Sequence, residues 1–491
     1  MLLYWNNLLK PERQRNASTV VKSPNDTRSP FKKDFDTVCN STILRRLQDK
    51  AQVFPLEDED YARTRLTHSI EAMSIAESIG IQAVGTIKQG NKKYYAPSKR
   101  YYSETMNLVE EIPTLLKTAA LLHDMGNPPF GHLGEQIIGD WFKNNLGNLV
   151  FKSDNKLYFK NTGDAEDSLT YKLKGQYQND LINFEGNAQL FRLVNKLCYV
   201  VDEYGMNLSF PVMSTFIKYP TSSLHIEKDN LFSKKLGFFA SEESIYKKID
   251  KTLCLNGYRH PLSFLLEAAD DISYLTADIE DAQHKGLITL SKIKSYLEKE
   301  AGDKLIGDLL KTIDAYEKYA NEIEYNEVDE YVVHRVRVLI KGLMIDSVCT
   351  AFADVYEQIM EGEFFDELLA RSTAAKLAGV FRKMEKENIY YSSHILKNKT
   401  MAFAVIEKLL EAYIPAVVNW NPEEDLNKDT TNNLLYQSLS KNYRFVCETA
   451  NKKAESNEEV IYNKILLVTD QISGMTDSHA LTVYKIITAG K

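Results

Sequence analysis

Apolar side chains recur at helical spacing through most of this chain. Between Thr64 and Gly80 the residues Leu66, Ile70, Met73, Ala76 and Ile79 fall on one face, and Gly80 reads as a natural stop. The run PTLLKTAALL, residues 113–122, is apolar and helical in type. Pro113 suits a first turn, where a missing N–H costs nothing, and Gly126 suits a left-handed C-terminal stop. The clearest amphipathic period covers residues 261–285 (PLSFLLEAADDISYLTADIEDAQHK). A capped basic helix is expected over Asn40–Ala51, another helical stretch over Asn187–Cys198, and mixed loop and short helix over 205–245. Beyond the 261–285 helix the chain reads as helices with charged faces to about residue 485.

These elements predict an all-α fold. Residues 1–40 are polar, with few apolar anchors, and read as an extended N-terminal arm. The main domain is expected over 41–345, with a C-terminal helical region, 346–491, packed on the same body. Segments near 81–112 and 145–180 read as insertions. The second contains LVFKSDNKLYFKN, whose polar and β-prone alternation predicts a small hairpin.

Composition narrows the class without changing this picture. At 491 residues, 44% hydrophobic and 26% charged, the chain has the make-up of an ordinary soluble protein with a large core. Its net charge of −8 offers no global basic field for nucleic acid. Five scattered cysteines without CxxC spacing argue against a disulfide framework or a zinc–thiolate site, and for a reducing compartment. With no apolar run of membrane-spanning length and no signal-peptide pattern, a cytoplasmic protein without a membrane partner is expected.

The chemistry concentrates in His123–Glu135, HDMGNPPFGHLGE. An adjacent imidazole and carboxylate can bind a divalent ion, although a lone His–Asp pair more often just closes a helix end. His132 and Glu135, three apart, share a face of the next helix. In the 261–285 helix Asp270, Tyr274 and Asp278 fall at i, i+4 and i+8, one polar stripe beside a wide apolar surface. Such a stripe is costly to bury unless something polar occupies the groove beside it. His68 lies in RTRLTHSIE, behind Arg63 and Arg65, whose guanidinium groups can grip phosphate oxygens or pair with surface acids.

In order along the chain, RRLQDKAQVFPL (45–56), RTRLTHSIE, HDMGNPPFGHLGE, FEGNAQLFR (184–192), KYP (218–220), RHPLSFLLEAADDISYLTADIEDA (259–282) and SGMTDSHA (473–480) resemble the bacterial deoxyguanosine triphosphate triphosphohydrolases. That family belongs to the HD-domain phosphohydrolases, so the all-α fold is expected to be an HD helical bundle with added C-terminal helices. The resemblance covers most of residues 40–290 and touches the C-terminus. It implies a divalent metal held by His68, His123, Asp124 and Asp270. The two imidazoles and two carboxylates suit Mn²⁺ or Mg²⁺, with Fe²⁺ and Co²⁺ also compatible. Asp270 rather than Asp271 follows the first of the family's paired acids, and Asp271 points roughly 100° away on an ideal helix.

The resemblance further implies His132 as the group that protonates the departing 5′-oxygen and Glu135 as its orienting acid, with Asp124 shared between metal and reaction centre. It assigns Gln52, Tyr274 and Asp278 to the deoxyribose, Tyr274 excluding a 2′-hydroxyl by sterics. Arg65, Lys218 and Tyr219 become triphosphate contacts, and Asn187 lies near the same pocket. The implied reaction converts dGTP and water to deoxyguanosine and triphosphate. A broader deoxynucleotide range, or another nucleotide substrate for an HD phosphohydrolase, is the alternative within enzymes. A non-catalytic nucleotide or single-stranded-DNA sensor is the rival outside them. A homo-oligomer, hexamers favoured, is implied as well, with single-stranded DNA or a nucleotide as effector. The Lys-, Arg- and Tyr-rich segment 88–102 could stack on a strand or simply form a solvated loop.

Overall fold

The helix Pro261–His284 is the axis on which the other elements pack. Its start is set locally: His260 stands at the N-cap, its Nδ1 accepts the Leu262 N–H at 3.2 Å, and Pro261 fills the first turn. Buried residues surround it on nearly every face, so neighbours are needed all round. Those neighbours are the helices Arg65–Tyr94, Leu108–Leu122, Phe210–Phe216, Val328–Glu361 and Ala375–Asn388. This computed structural model describes residues 2–15, 25–56, 62–94, 107–152, 156–160, 172–198, 202–389, 393–425 and 428–489.

A second group of helices is built around Ser393–Asn419, which packs against His132–Asn145, Thr431–Ser438, Asn457–Ser473 and Asp477–Thr488. Arg192 ties the two groups together, its guanidinium bonding buried Asp470 at 2.7 Å and Glu242 at 3.0 Å. The expected hairpin is present: Leu149–Phe151 pairs antiparallel with Leu157–Phe159, Leu149 opposite Phe159. Among the described residues these are the only two strands, so the fold is all-α with one small hairpin.

Several local expectations are corrected. Residues 1–40 are not simply extended: Trp5–Leu8 and Pro30–Cys39 are helical, and Leu3, Trp5, Leu8, Leu9, Phe31 and Val38 are buried. The apolar anchors are few but large, and Trp5 Nε1 donates to the Tyr356 hydroxyl at 2.7 Å. Gly80 does not stop its helix, which continues to Tyr94. A Cβ there would lie 2.9 Å from Pro113 Cα, so the glycine permits a close helix crossing instead. The supposed insertion near 81–112 is therefore helix to 94 and helix again from 108, with 95–106 outside the described residues. Pro113 sits inside Leu108–Leu122, because Asn107 caps that helix five residues earlier than the proline suggests. The helix Val328–Glu361 also runs straight across the 345/346 boundary.

His260 generates a pH prediction. Its Nε2 donates to the Leu8 carbonyl at 3.2 Å while Nδ1 accepts at the N-cap, so the fold uses the neutral ring. Burial pulls its pKa down to about 4, well below an ordinary histidine. Between about pH 6.5 and 4 the unfolded chain binds this proton and the native chain does not, so stability falls as pH falls, by about 3 kcal/mol across the window. Urea titrations at pH 7 and pH 4.5 should give His260→Asn, which keeps a capping oxygen, a smaller acid loss than the wild type. Equal losses would remove His260 from the account.

Candidate functional site

Three helices deliver the cluster. His68 comes from the first turn of Arg65–Tyr94, His123 caps the end of Leu108–Leu122, and Asp270 lies midway along Pro261–His284. Asp270 Oδ1 stands 3.1 Å from His68 Nε2 and 3.3 Å from His123 Nε2. Donor atoms of the three residues lie within 4.8 Å of one another, close enough to share one ion. Asp124 stands at the edge, its Oδ1 3.7 Å from His123 Nε2. Both its oxygens are engaged: Arg65 Nη1 donates to one at 2.6 Å and Asn127 Nδ2 to the other at 2.5 Å.

The donor set fits a divalent metal in its details. His123 Nδ1 lies 2.6 Å from the Ala120 carbonyl, which fixes the proton there and aims the Nε2 lone pair at the cluster. That Nε2 is buried and faces Asp270 Oδ1 at 3.3 Å. Burial opposes charge on His123, but Asp124 and Asp270 outweigh it and raise the imidazole to about 9. The cluster thus takes up positive charge, as a proton or as a cation. Asp124 is held down to about 2, Arg65 and His123 overcoming its burial.

Ahead of the cluster the chain turns sharply. Phe130 and Gly131 have φ of 63° and 61°, and a Cβ on Gly131 would meet Arg65. Gly126, by contrast, is not left-handed; a Cβ there would lie 2.1 Å from the Gly186 carbonyl, so packing demands the glycine. The turn launches the helix His132–Asn145, and His132 Nδ1 lies 3.2 Å from Glu135 Oε2. The Glu135 carboxylate raises the His132 pKa, and the ring, 77% exposed, opens into the cavity. Glu135 itself is buried, and Lys235 Nζ stands 3.8 Å from the same Oε2.

The HD domain family matches residues 65–161, which include His68, His123, Asp124, His132 and Glu135. Across its length the chain is 38% identical, over 483 residues and 98% of both chains, to a deoxyguanosinetriphosphate triphosphohydrolase-like protein of Listeria monocytogenes. A protein of the same description from Listeria innocua matches equally. The deoxyguanosinetriphosphate triphosphohydrolase of Cronobacter sakazakii is 30% identical over 513 residues, 99% of each chain. The chain belongs to this triphosphohydrolase family.

A cavity of about 930 Å³ opens in front of the cluster. Of the family-implied residues Gln52, Arg65, His68, Asp124, His132, Lys218, Asp270, Tyr274 and Asp278 line it. His123 and Glu135 stand behind its wall, and Asn187 and Tyr219 do not line it. Asn187 Nδ2 donates to Glu185 at 2.8 Å, and Tyr219 is buried beneath Lys218. Lys218 Nζ is paired with Glu267 at 2.8 Å. Asp271 also lines the cavity but turns away from the two imidazoles, taking Arg382 Nη2 at 2.8 Å.

The motifs gave no warning of the opposite wall. Glu367, Arg382, Glu385, Lys386, Asn398 and Lys399 complete the cavity. All but Glu367, which precedes the short helix Leu368–Arg371, lie on helix faces where polar residues look like any solvated surface, so spacing carried no signal.

Two metal measurements follow. Asp270→Ala should lose bound Mn²⁺ while Asp271→Ala keeps it, read by metal analysis of the purified proteins; metal retained in Asp270→Ala would shift the ligand to Asp271. Because His123 holds a proton below about pH 9 and must lose it to bind metal, Mn²⁺ binding at pH 7.5 should release about one proton. Calorimetry in buffers of different ionisation enthalpy reads that number.

Proposed function

We propose that this protein is a metal-dependent hydrolase of deoxynucleoside triphosphates, dGTP favoured. Water adds at the α-phosphorus, the bond to the 5′-oxygen breaks, and deoxynucleoside and triphosphate leave. The observation that carries the reading is the meeting of a His–His–Asp cluster and a His–Glu pair at one cavity, in a chain whose relatives bear that enzyme's name.

A divalent ion held by His68, His123, Asp270 and Asp124 supplies electrophilic activation of the phosphate and of the attacking water when bound, and Mn²⁺ or Mg²⁺ suits those donors. The chain's own groups do the rest. His132, kept protonated by Glu135, gives its proton to the departing 5′-oxygen. Arg65 uses Nη1 on Asp124 and leaves Nε without a partner among the described residues, a donor for a phosphate oxygen. Lys218 adds a second cation at the cavity wall.

Gln52 Oε1 and Asp278 Oδ1 are both buried oxygens without a hydrogen bond among the described residues. Burial, with Asp281 nearby, pushes the Asp278 carboxyl up to about 8. Such acceptors suit the 3′-hydroxyl of a deoxyribose, with the Tyr274 ring closing the space beside C2′. A homo-oligomer, with a nucleotide or single-stranded DNA as effector, belongs to the same reading.

A panel of dNTPs and NTPs with Mg²⁺ or Mn²⁺, resolved by chromatography, tests the reaction. Triphosphate should appear from dGTP and not from GTP; monophosphate with pyrophosphate, or no turnover, would reject it. His132→Ala should keep metal and substrate yet lose turnover by about 10² to 10⁴. As a proton donor His132 makes kcat fall when pH rises through its raised pKa. Glu135→Gln, which removes the charge that raises it, should move that alkaline limb to lower pH.

A further inference from the structure

We infer that Asp477, near the C-terminus, is a positioning residue for the catalytic loop, an inference that rests on the proposed reaction. Its carboxylate is 2% exposed and holds two backbone groups far away in sequence. Oδ1 accepts the Phe130 N–H at 2.9 Å and Oδ2 accepts the Ala51 N–H at 2.9 Å. Phe130 stands two residues before His132, in the left-handed pair Phe130–Gly131 that aims the His132 helix. Ala51 immediately precedes Gln52, at the deoxyribose end of the cavity. One side chain thus sets the spacing between the proton donor and the group assigned to the sugar.

The surroundings make Asp477 a fixed point. Thr476 caps its helix, accepting the His479 N–H at 3.3 Å, so the aspartate sits in the first turn. Beside it Lys50 Nζ, also buried, donates to the Asn127 carbonyl at 2.6 Å and to the Ser473 carbonyl at 2.7 Å. Arg46 bonds the Gly474 carbonyl at 3.0 Å, whereas the Ser478 hydroxyl bonds Asp49 at 2.8 Å at the exposed surface and holds neither tethered backbone group. Phe130 needs such a clamp, because a non-glycine residue at positive φ is strained and holds that shape only when its surroundings dictate it. An N–H pointing at a buried carboxylate supplies this directly, through a charge-assisted bond.

Asp477→Asn isolates the claim. The amide oxygen accepts one of the two N–H groups, and its NH₂ meets the other donor, so one tether is lost with little change in volume. Three quantities are measured on the full-length protein: bound Mn²⁺, kcat and KM for dGTP, and the ratio of kcat/KM for dGTP over 2′,3′-dideoxy-GTP. The expected result is unchanged metal content, kcat lower by about 10- to 100-fold, and a smaller preference for the 3′-hydroxyl. Ser478→Ala, which removes a neighbouring surface bond, should match wild type in all three. A folded Asp477→Asn with wild-type kcat and wild-type 3′-hydroxyl preference would overturn the inference. So would failure of both Asp477→Asn and Asp477→Ser to fold, which makes the carboxylate a folding element alone. A wild type that releases no triphosphate from any dNTP would instead reject the reaction itself.

Discussion

One carboxylate oxygen, Asp270 Oδ1, lies within 3.3 Å of two imidazole nitrogens that come from separate helices, and the rest of the molecule is arranged to permit that convergence. Its helix buries five further acids, and most meet a cation from a different element. Glu267 takes Arg259 and Lys218, Asp271 takes Arg382, and Glu280 and Asp281 both take Arg63, with Arg337 added at Glu280. A buried charge left alone costs several kcal/mol, so each partner is fixed in place by the need to neutralise its acid. The exception is Asp278, whose Oδ1 has no hydrogen bond among the described residues and whose carboxyl burial raises to about 8. That exception opens into the cavity.

Close backbone packing is the second constraint. Gly126 lets the loop after His123 lie directly on the start of the Gly186–Arg192 helix, which brings Glu185 and Asn187 up behind Glu135. Lys235 then bridges the two acids, 2.6 Å from Glu185 and 3.8 Å from Glu135. The His132–Glu135 pair is thereby backed by a cation rather than by a bare cluster of carboxylates. Two acids this close would otherwise repel, and one would take up a proton in place of orienting the imidazole.

Much of this was legible because local rules and tertiary packing agree. The i, i+4, i+8 stripe of Asp270, Tyr274 and Asp278 does face one cavity, and the angle separating Asp270 from Asp271 sends one to the imidazoles and the other to Arg382. Glycine was the poorest guide. The backbone freedom of Gly80 and Gly126 suggests helix stops, whereas both serve close contact, which depends on a neighbour the local sequence does not name. The N-terminal residues misled for a related reason. Sparse apolar anchors look inadequate until the surface that receives them is known, as with Trp5 against Tyr356.

The cavity's two walls differ in what a sequence can reveal. The wall carrying His68, Asp124, His132 and Asp270 must meet strict distances, so its residues occur as dense, spaced motifs. The wall carrying Arg382, Glu385 and Lys386 has to supply polar groups of roughly suitable reach, and many arrangements on a helix face do that. Glu385 illustrates the point: it is buried, its Oε1 has no partner among the described residues, and burial beside Asp278 raises it to about 9. A carboxyl kept neutral in this way is a hydrogen-bond donor as well as an acceptor, directed at whatever fills the space between it and Asp278. The groups proposed to bind metal and move protons therefore lie on different segments from those that complete the cavity. Substitutions in the second set can alter what is bound while leaving the reacting groups in place.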